Sequence, residues 1–166
     1  MLPIKTILHP TDFSRPSEYA FQLACSLARD YHAKLVVLHV DLPPVTMGEV
    51  ITSMEPGEYK EQLWDEFRRL QASEPGIREL RVETKLVEGN PAKEILKLAN
   101  EIKPELIVMG THGRTGLGRL LMGSVAEEVV RKSPYPVLTV KTPSPIRSTA
   151  KFASKSERLV EAGMNI

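Results

Sequence analysis

Short apolar runs alternate with longer amphipathic stretches along most of this chain, and the alternation leaves few folds open. Ile4 to His9 (IKTILH) is a strand-like run ending at Pro10. Ser14 to Tyr31 reads as a helix, with Ser14 as its cap and Pro16 in the first turn, where no backbone N–H is needed. Its residues Tyr19, Ala20, Leu23, Ala24, Leu27 and Ala28 recur at helical spacing. Leu35 to Val40 is a β-branched strand closed by Pro43 and Pro44, followed by a loop over 41–56. Glu58 to Ala72 forms a second helix with Leu63, Phe67 and Leu70 on one face. Leu80 to Val87 alternates apolar and polar residues, as a half-exposed strand does. Asn90 caps a third helix with Pro91 at its first position, running to about Ile102.

Leu106 to Met109 is apolar throughout, which predicts a strand buried on both faces. Ser124 and Glu127 have the spacing of a capping box opening a fourth helix, which Pro134 stops. Pro136 to Val140 is the fifth strand. Strands separated by connections of helical length imply an α/β fold: a parallel sheet with helices on both faces and right-handed crossovers. Residues 142–166 break the pattern; they begin Pro/Ser/Thr-rich and read as a partly irregular C-terminal tail beyond a domain over 1–141.

Composition excludes several classes. The formal net charge of the 166 residues is +1, so there is no electrostatic footprint for nucleic acid. One cysteine, Cys25, cannot form an internal disulfide or a C-x-x-C motif. No apolar run approaches the length of a membrane span, and Met1 to Lys5 lacks the regions of a signal peptide. The expectation is a cytoplasmic protein with no membrane partner.

The chemistry concentrates after the fourth strand. Of ten glycines, five fall between Gly110 and Gly123. Glycine lets a backbone approach a ligand closely, and this segment delivers the chain to a helix N-terminus, whose free N–H groups and dipole favour anions. Arg114 and Arg119 lie within it, and no Asp or Glu occurs from Leu106 to Ala126. The combination reads as a phosphate cradle, with Ser124 able to cap its helix and offer a hydroxyl. A flexible, ligand-free loop is the plainer reading of the glycines alone. The segment is not a Walker A loop, because Gly123 is followed by Ser124 and the lysine is missing. The first strand, ending in His-Pro-Thr-Asp, lacks the glycines of a dinucleotide-binding fingerprint.

The spacing Gly110-x2-Gly113-x9-Gly123-Ser124 resembles the G-x2-G-x9-G-[ST] motif of the universal stress protein family. Ile7 to Ser14, Val37 to Val40 and Pro136 to Val140 resemble that family's first, second and last strands, so the likeness runs colinearly over about residues 1–141. The resemblance implies a Rossmann-like doubly wound five-stranded sheet of order 3-2-1-4-5 and membership of the ATP-binding branch. It implies that Pro10, Thr11 and Asp12 form the first binding loop, with Asp12 on the ribose, and that Val40 meets adenine through its backbone. It implies that Gly110, Thr111, His112, Gly113, Arg114, Thr115 and Gly116 hold ribose and phosphates, and that Gly123, Ser124, Val125 and Ala126 complete the phosphate site. It also implies a homodimer paired through the edge strand 136–140.

Other residues have plainer roles beside these. Asp12 suits both a helix cap beside Ser14 and an acceptor for sugar hydroxyls, and the two can coexist. His9 and His39 read as packed strand residues, His112 as a loop residue near ligand, His32 as a cation at a helix C-terminus and Cys25 as a small core or boundary residue. Glu58 to Arg69 reads as a solvated helix face, and Met47 and Met54 as loop filler. No catalytic residue or metal-ligand set is evident; Mg²⁺, if carried, would be held mainly through the phosphates. The functional expectation is an ATP-binding stress-response sensor or switch acting with a further protein partner. A slow or partner-activated ATPase, or a nucleotidyl-transferring enzyme, is the alternative.

Overall fold

A computed structural model describes residues 3–41, 56–111 and 122–142. In chain order these form β1 (Thr6–Thr11), α1 (Arg15–Tyr31), β2 (Lys34–Asp41), α2 (Pro56–Ala72), a 3₁₀ turn (Ile77–Glu79), β3 (Arg81–Glu88), α3 (Pro91–Ile102), β4 (Leu106–Gly110), α4 (Ser124–Lys132) and β5 (Val137–Val140). All five strands pair in parallel in the order β3-β2-β1-β4-β5, as the resemblance implies. The greater part of the predicted loop over 41–56, with Met47 and Met54, lies outside the described residues, as do residues 112–121 and the tail from 143.

Two apolar layers hold the sheet. On one face Ile7, Leu35, Val37 and Val108 pack against Ala20, Phe21, Ala24, Phe67 and Leu70 of α1 and α2. On the other, Leu8, Val36, Leu38, Ile107 and Met109 pack against Ala92, Ile95, Leu98, Ala99, Ala126 and Val129 of α3 and α4. β1, β2 and β4 are covered on both faces, which is why residues 7–8, 35–38 and 106–109 are apolar without a break. β3 is an edge, and its alternating Arg81, Glu83 and Lys85 put charge where another strand would otherwise add. Glu83 pairs there with Lys34 and with Lys85.

The helix starts follow their caps. The Ser14 side chain accepts from the Ser17 N–H, and Asn90 Oδ1 accepts from the Lys93 N–H at 3.1 Å. His32 ends α1 in the left-handed region, its N–H directed to the Ala28 and Arg29 carbonyls. Two local expectations are corrected. The buried stripe of α1 is Ser17, Ala20, Phe21, Ala24, Cys25 and Ala28, whereas Tyr19 and Leu23 are exposed. The stripe is rotated toward Phe21, whose ring fills the space over β1. Strand β1 also does not end before Pro10 but runs on to Thr11, paired with β2 as far as Thr11↔His39. On its other side it pairs with β4 only at Ile7 and Leu8, so Pro10 lies where no ladder N–H is required of it on that side.

Candidate functional site

The central strands part at their carboxyl ends. Past Leu8 the β1–β4 pairing stops, at the point where the strand order reverses and the chain runs outward on either side. Such a crevice is where open α/β sheets take ligands. A cavity of about 550 Å³ opens there, within the range of small-molecule sites.

Ten of the residues singled out in the sequence line this one cavity. Pro10, Thr11 and Asp12 come from the end of β1 and the turn after it, Val40 from β2, Gly110 and Thr111 from β4 and its end, and Gly123, Ser124, Val125 and Ala126 from the start of α4. His112, Gly113, Arg114, Thr115 and Gly116 lie outside the described residues.

The β1–α1 turn is locked by side-chain oxygens. Thr11 Oγ1 accepts from the Phe13 N–H at 3.1 Å and from the Ser17 hydroxyl at 2.9 Å. Asp12 Oδ1 accepts from the Ser14 N–H at 3.1 Å and the Ser14 hydroxyl at 2.6 Å. Asp12 therefore does not cap α1 itself; it holds the residue that does. Phe13 sits at φ 60, a left-handed conformation that a residue with a Cβ adopts at some cost. Its ring offsets that cost by packing 4.5 Å from His39 and edge-on to Phe67 at 5.1 Å.

The start of α4 differs from expectation. The predicted capping box does not form: Gly123, not Ser124, is the N-cap, and the helix start has no side-chain cap. Gly123 takes extended dihedrals, accepts the Glu127 N–H at 2.9 Å and donates its own N–H to the Thr111 carbonyl at 2.7 Å. The Thr111 N–H in turn donates to Val140 at 3.0 Å. These bonds pin the first turn of α4 to the ends of β4 and β5. With Ser124 displaced to the first helical position and exposed, no side chain among the described residues caps the first amides, and the positive end of the helix dipole meets the cavity.

Two histidines stand beside this opening. The His39 Nδ1–H donates to the Thr11 carbonyl at 2.8 Å, fastening β2 to β1. His9 lies beneath, fully buried, its Nδ1–H donating to the Val108 carbonyl at 2.8 Å. Burial pushes the His9 pKa down to about 4, against the opposing pull of the Val108 carbonyl and the Asp12 charge. Its Nε2 has no hydrogen-bond partner among the described residues. Both rings are packed, as expected, but His39 also lines the cavity. No Lys or Arg lines it among the described residues.

Residues 3–141 match the family model described as the universal stress protein family. The chain belongs to this family. It is 38% identical over 146 residues to the universal stress protein MJ0531 of Methanocaldococcus jannaschii, covering 84% of this chain and 83% of that one. Among solved structures it resembles the hypothetical protein MJ0577, whose biochemical function was assigned from structure, with a TM-score of 0.69 and 32% identity over 87% of this chain and 100% of that one. It also resembles a universal stress protein in complex with cAMP, with a TM-score of 0.62 and 29% identity over 86% of this chain and 100% of that one.

In this universal stress protein the cavity also takes Ser17, Leu38, His39, Asp41, Tyr59, Pro91 and Ile95, which sequence reading left out of the site. Leu38 and Asp41 flank Val40 closely enough that the end of β2 could have been taken as one unit. Pro91 follows the third-helix cap at the carboxyl end of β3, the end of the sheet at which ligands bind. Tyr59 carried no local signal, because its place depends on how α2 lies across the sheet. Among the described residues, no helix is long and apolar enough to cross a membrane.

Proposed function

We propose that the cavity binds an adenine nucleotide, ATP foremost, and that the protein acts as a nucleotide-dependent stress-response switch. The observation carrying this reading is the uncapped start of α4 at Gly123, which lines the same cavity as Asp12 and Val40. Exposed amides at a helix start are anion ligands, a carboxylate at the end of β1 accepts from sugar hydroxyls, and the apolar Leu38, Val40 and Ile95 suit a base. The likeness to a universal stress protein in complex with cAMP supports the same ligand class. Arg114 and the glycines from Gly110 to Gly116 would add to the phosphate end. Among the described residues no three His, Cys, Asp or Glu side chains are grouped to hold a metal, so Mg²⁺ would be held through the phosphates.

Each residue then has a task. Gly123 keeps the helix start bare, Val125 and Ala126 present backbone amides, Ser124 offers its hydroxyl, and Asp12 orients the ribose while bracing α1. Calorimetry with ATP, ADP, AMP and cAMP tests the reading: at least one binds below millimolar, and no binding by any would overturn it.

The second copy of this reading's dimer would pair through β5. That strand is a sheet edge, and Leu138 on it and Val130 on α4 are exposed. Light scattering gives the mass; a monomer at all concentrations would overturn that part.

A further inference from the structure

We propose that Tyr59 caps the base end of the cavity, holding a planar heteroaromatic ring between its own ring and the apolar wall across from it. The inference rests on the nucleotide reading above and adds a base-holding residue to it.

The apolar stripe of α2 overruns its core. Tyr59, Leu63, Phe67 and Leu70 share one face of α2, and the last three are buried at 7%, 2% and 6% exposure, whereas Tyr59 is 43% exposed. The stripe continues one turn beyond the sheet it packs on, and that turn reaches the rim of the cavity. α2 belongs to the layer over the Phe21 face, so Tyr59 meets the cavity from the side opposite α3, which brings Pro91 and Ile95.

The ring is tethered at this rim. The Tyr59 hydroxyl donates to Asp41 Oδ1 at 2.8 Å. Asp41 is itself placed by β2 and by its carbonyl, which accepts the Gly89 N–H at 2.8 Å. An aromatic ring anchored through its hydroxyl at the cavity rim loses little conformational freedom on contact. Across the cavity Leu38, Val40, Pro91 and Ile95 offer an apolar wall. A flat ring bound between them gains stacking on one side and apolar contact on the other, and stacking is tolerant of which base it is.

Calorimetry on the full chain, with ATP and with ribose 5-triphosphate, which lacks a base, tests the proposal. Tyr59→Ala is expected to weaken ATP about tenfold, as loss of one base–aromatic stack does, and to leave ribose 5-triphosphate within about twofold. Tyr59→Phe, which keeps the ring and drops the tether, is expected to stay within about threefold of the unaltered chain for ATP. ATP affinity unchanged in Tyr59→Ala, an equal loss for both ligands, or Tyr59→Phe as weak as Tyr59→Ala overturns the proposal and leaves the nucleotide reading standing. Failure of the unaltered chain to bind ATP, ADP, AMP or cAMP overturns both.

Discussion

The Nδ1–H of His9 reaches the Val108 carbonyl at 2.8 Å, one position beyond Leu8↔Ile107, the last paired residues of β1 and β4. A side chain thus replaces the ladder where the ladder stops. The two strands must part to open the cavity, and the imidazole keeps them from parting further.

Stability should fall with acidification through this group. Folded His9 titrates near 4, below the ordinary 6.5. Between those values the unfolded chain takes up a proton that the folded one refuses, so stability drops as pH falls through that window. The loss approaches about 3 kcal/mol, at 1.36 kcal/mol per pH unit. Urea midpoints at pH 7 and pH 4.5 measure it. In His9→Gln the pH dependence should shrink by that amount; an unchanged slope would show that other groups carry it.

Gly123→Asp separates folding from binding. Gly123 already has φ −72 and ψ 155, so a side chain causes no backbone strain. An Asp there would cap α4 and suit its dipole, adding about 0.5–1 kcal/mol to stability. The same carboxylate would stand at the proposed phosphate position, so nucleotide affinity should fall about a hundredfold. Thermal melts and calorimetry on one preparation check both signs. Affinity that survives the change would mean phosphates do not sit at this helix start.

Cys25 should be inert to thiol reagents. It is fully buried on α1, and burial, with Glu74 nearby, pushes its thiol up to about 12 despite Arg29. A disulfide reagent at pH 8 should label it only after denaturant is added. Labelling of the native protein within minutes would mean α1 opens locally.

Gly89→Ala should destabilise the protein by roughly 1–3 kcal/mol, because the position has φ +146, a region L residues rarely enter. A Cβ there would also lie 2.9 Å from Glu94 Cγ. Adding Glu94→Ala should restore little if the backbone dominates; chemical denaturation of the single and double variants decides. Full recovery would assign the cost to the contact instead.

What was legible in the sequence had local causes. Strand runs, the Ser14 and Asn90 caps and the glycine spacing are written in neighbouring residues, and they place Asp12, Val40 and Gly123 around one crevice once the strands are ordered. Local reasoning failed where two local solutions competed. Ser124 and Glu127 have capping-box spacing, but Gly123 is held extended by its bond to Thr111 and takes the cap. Tyr19 and Leu23 match helical period as well as Phe21 and Cys25 do, and only the sheet beneath selects between them. Tyr59 and Ile95 reach the cavity from opposite layers, a meeting that neither helix encodes alone.

The order of the strands also sets an order in time. Strand β1 ends in the middle of the sheet, and its partner on one side, β4, follows ninety-nine residues later. The β1, β2 and β3 pairings can form on a nascent chain, while the other edge of β1 waits uncovered. The crevice therefore comes into being only after α4 has emerged. A ligand seated there would touch both β1 and α4, so its binding would stabilise the two sides of the sheet together.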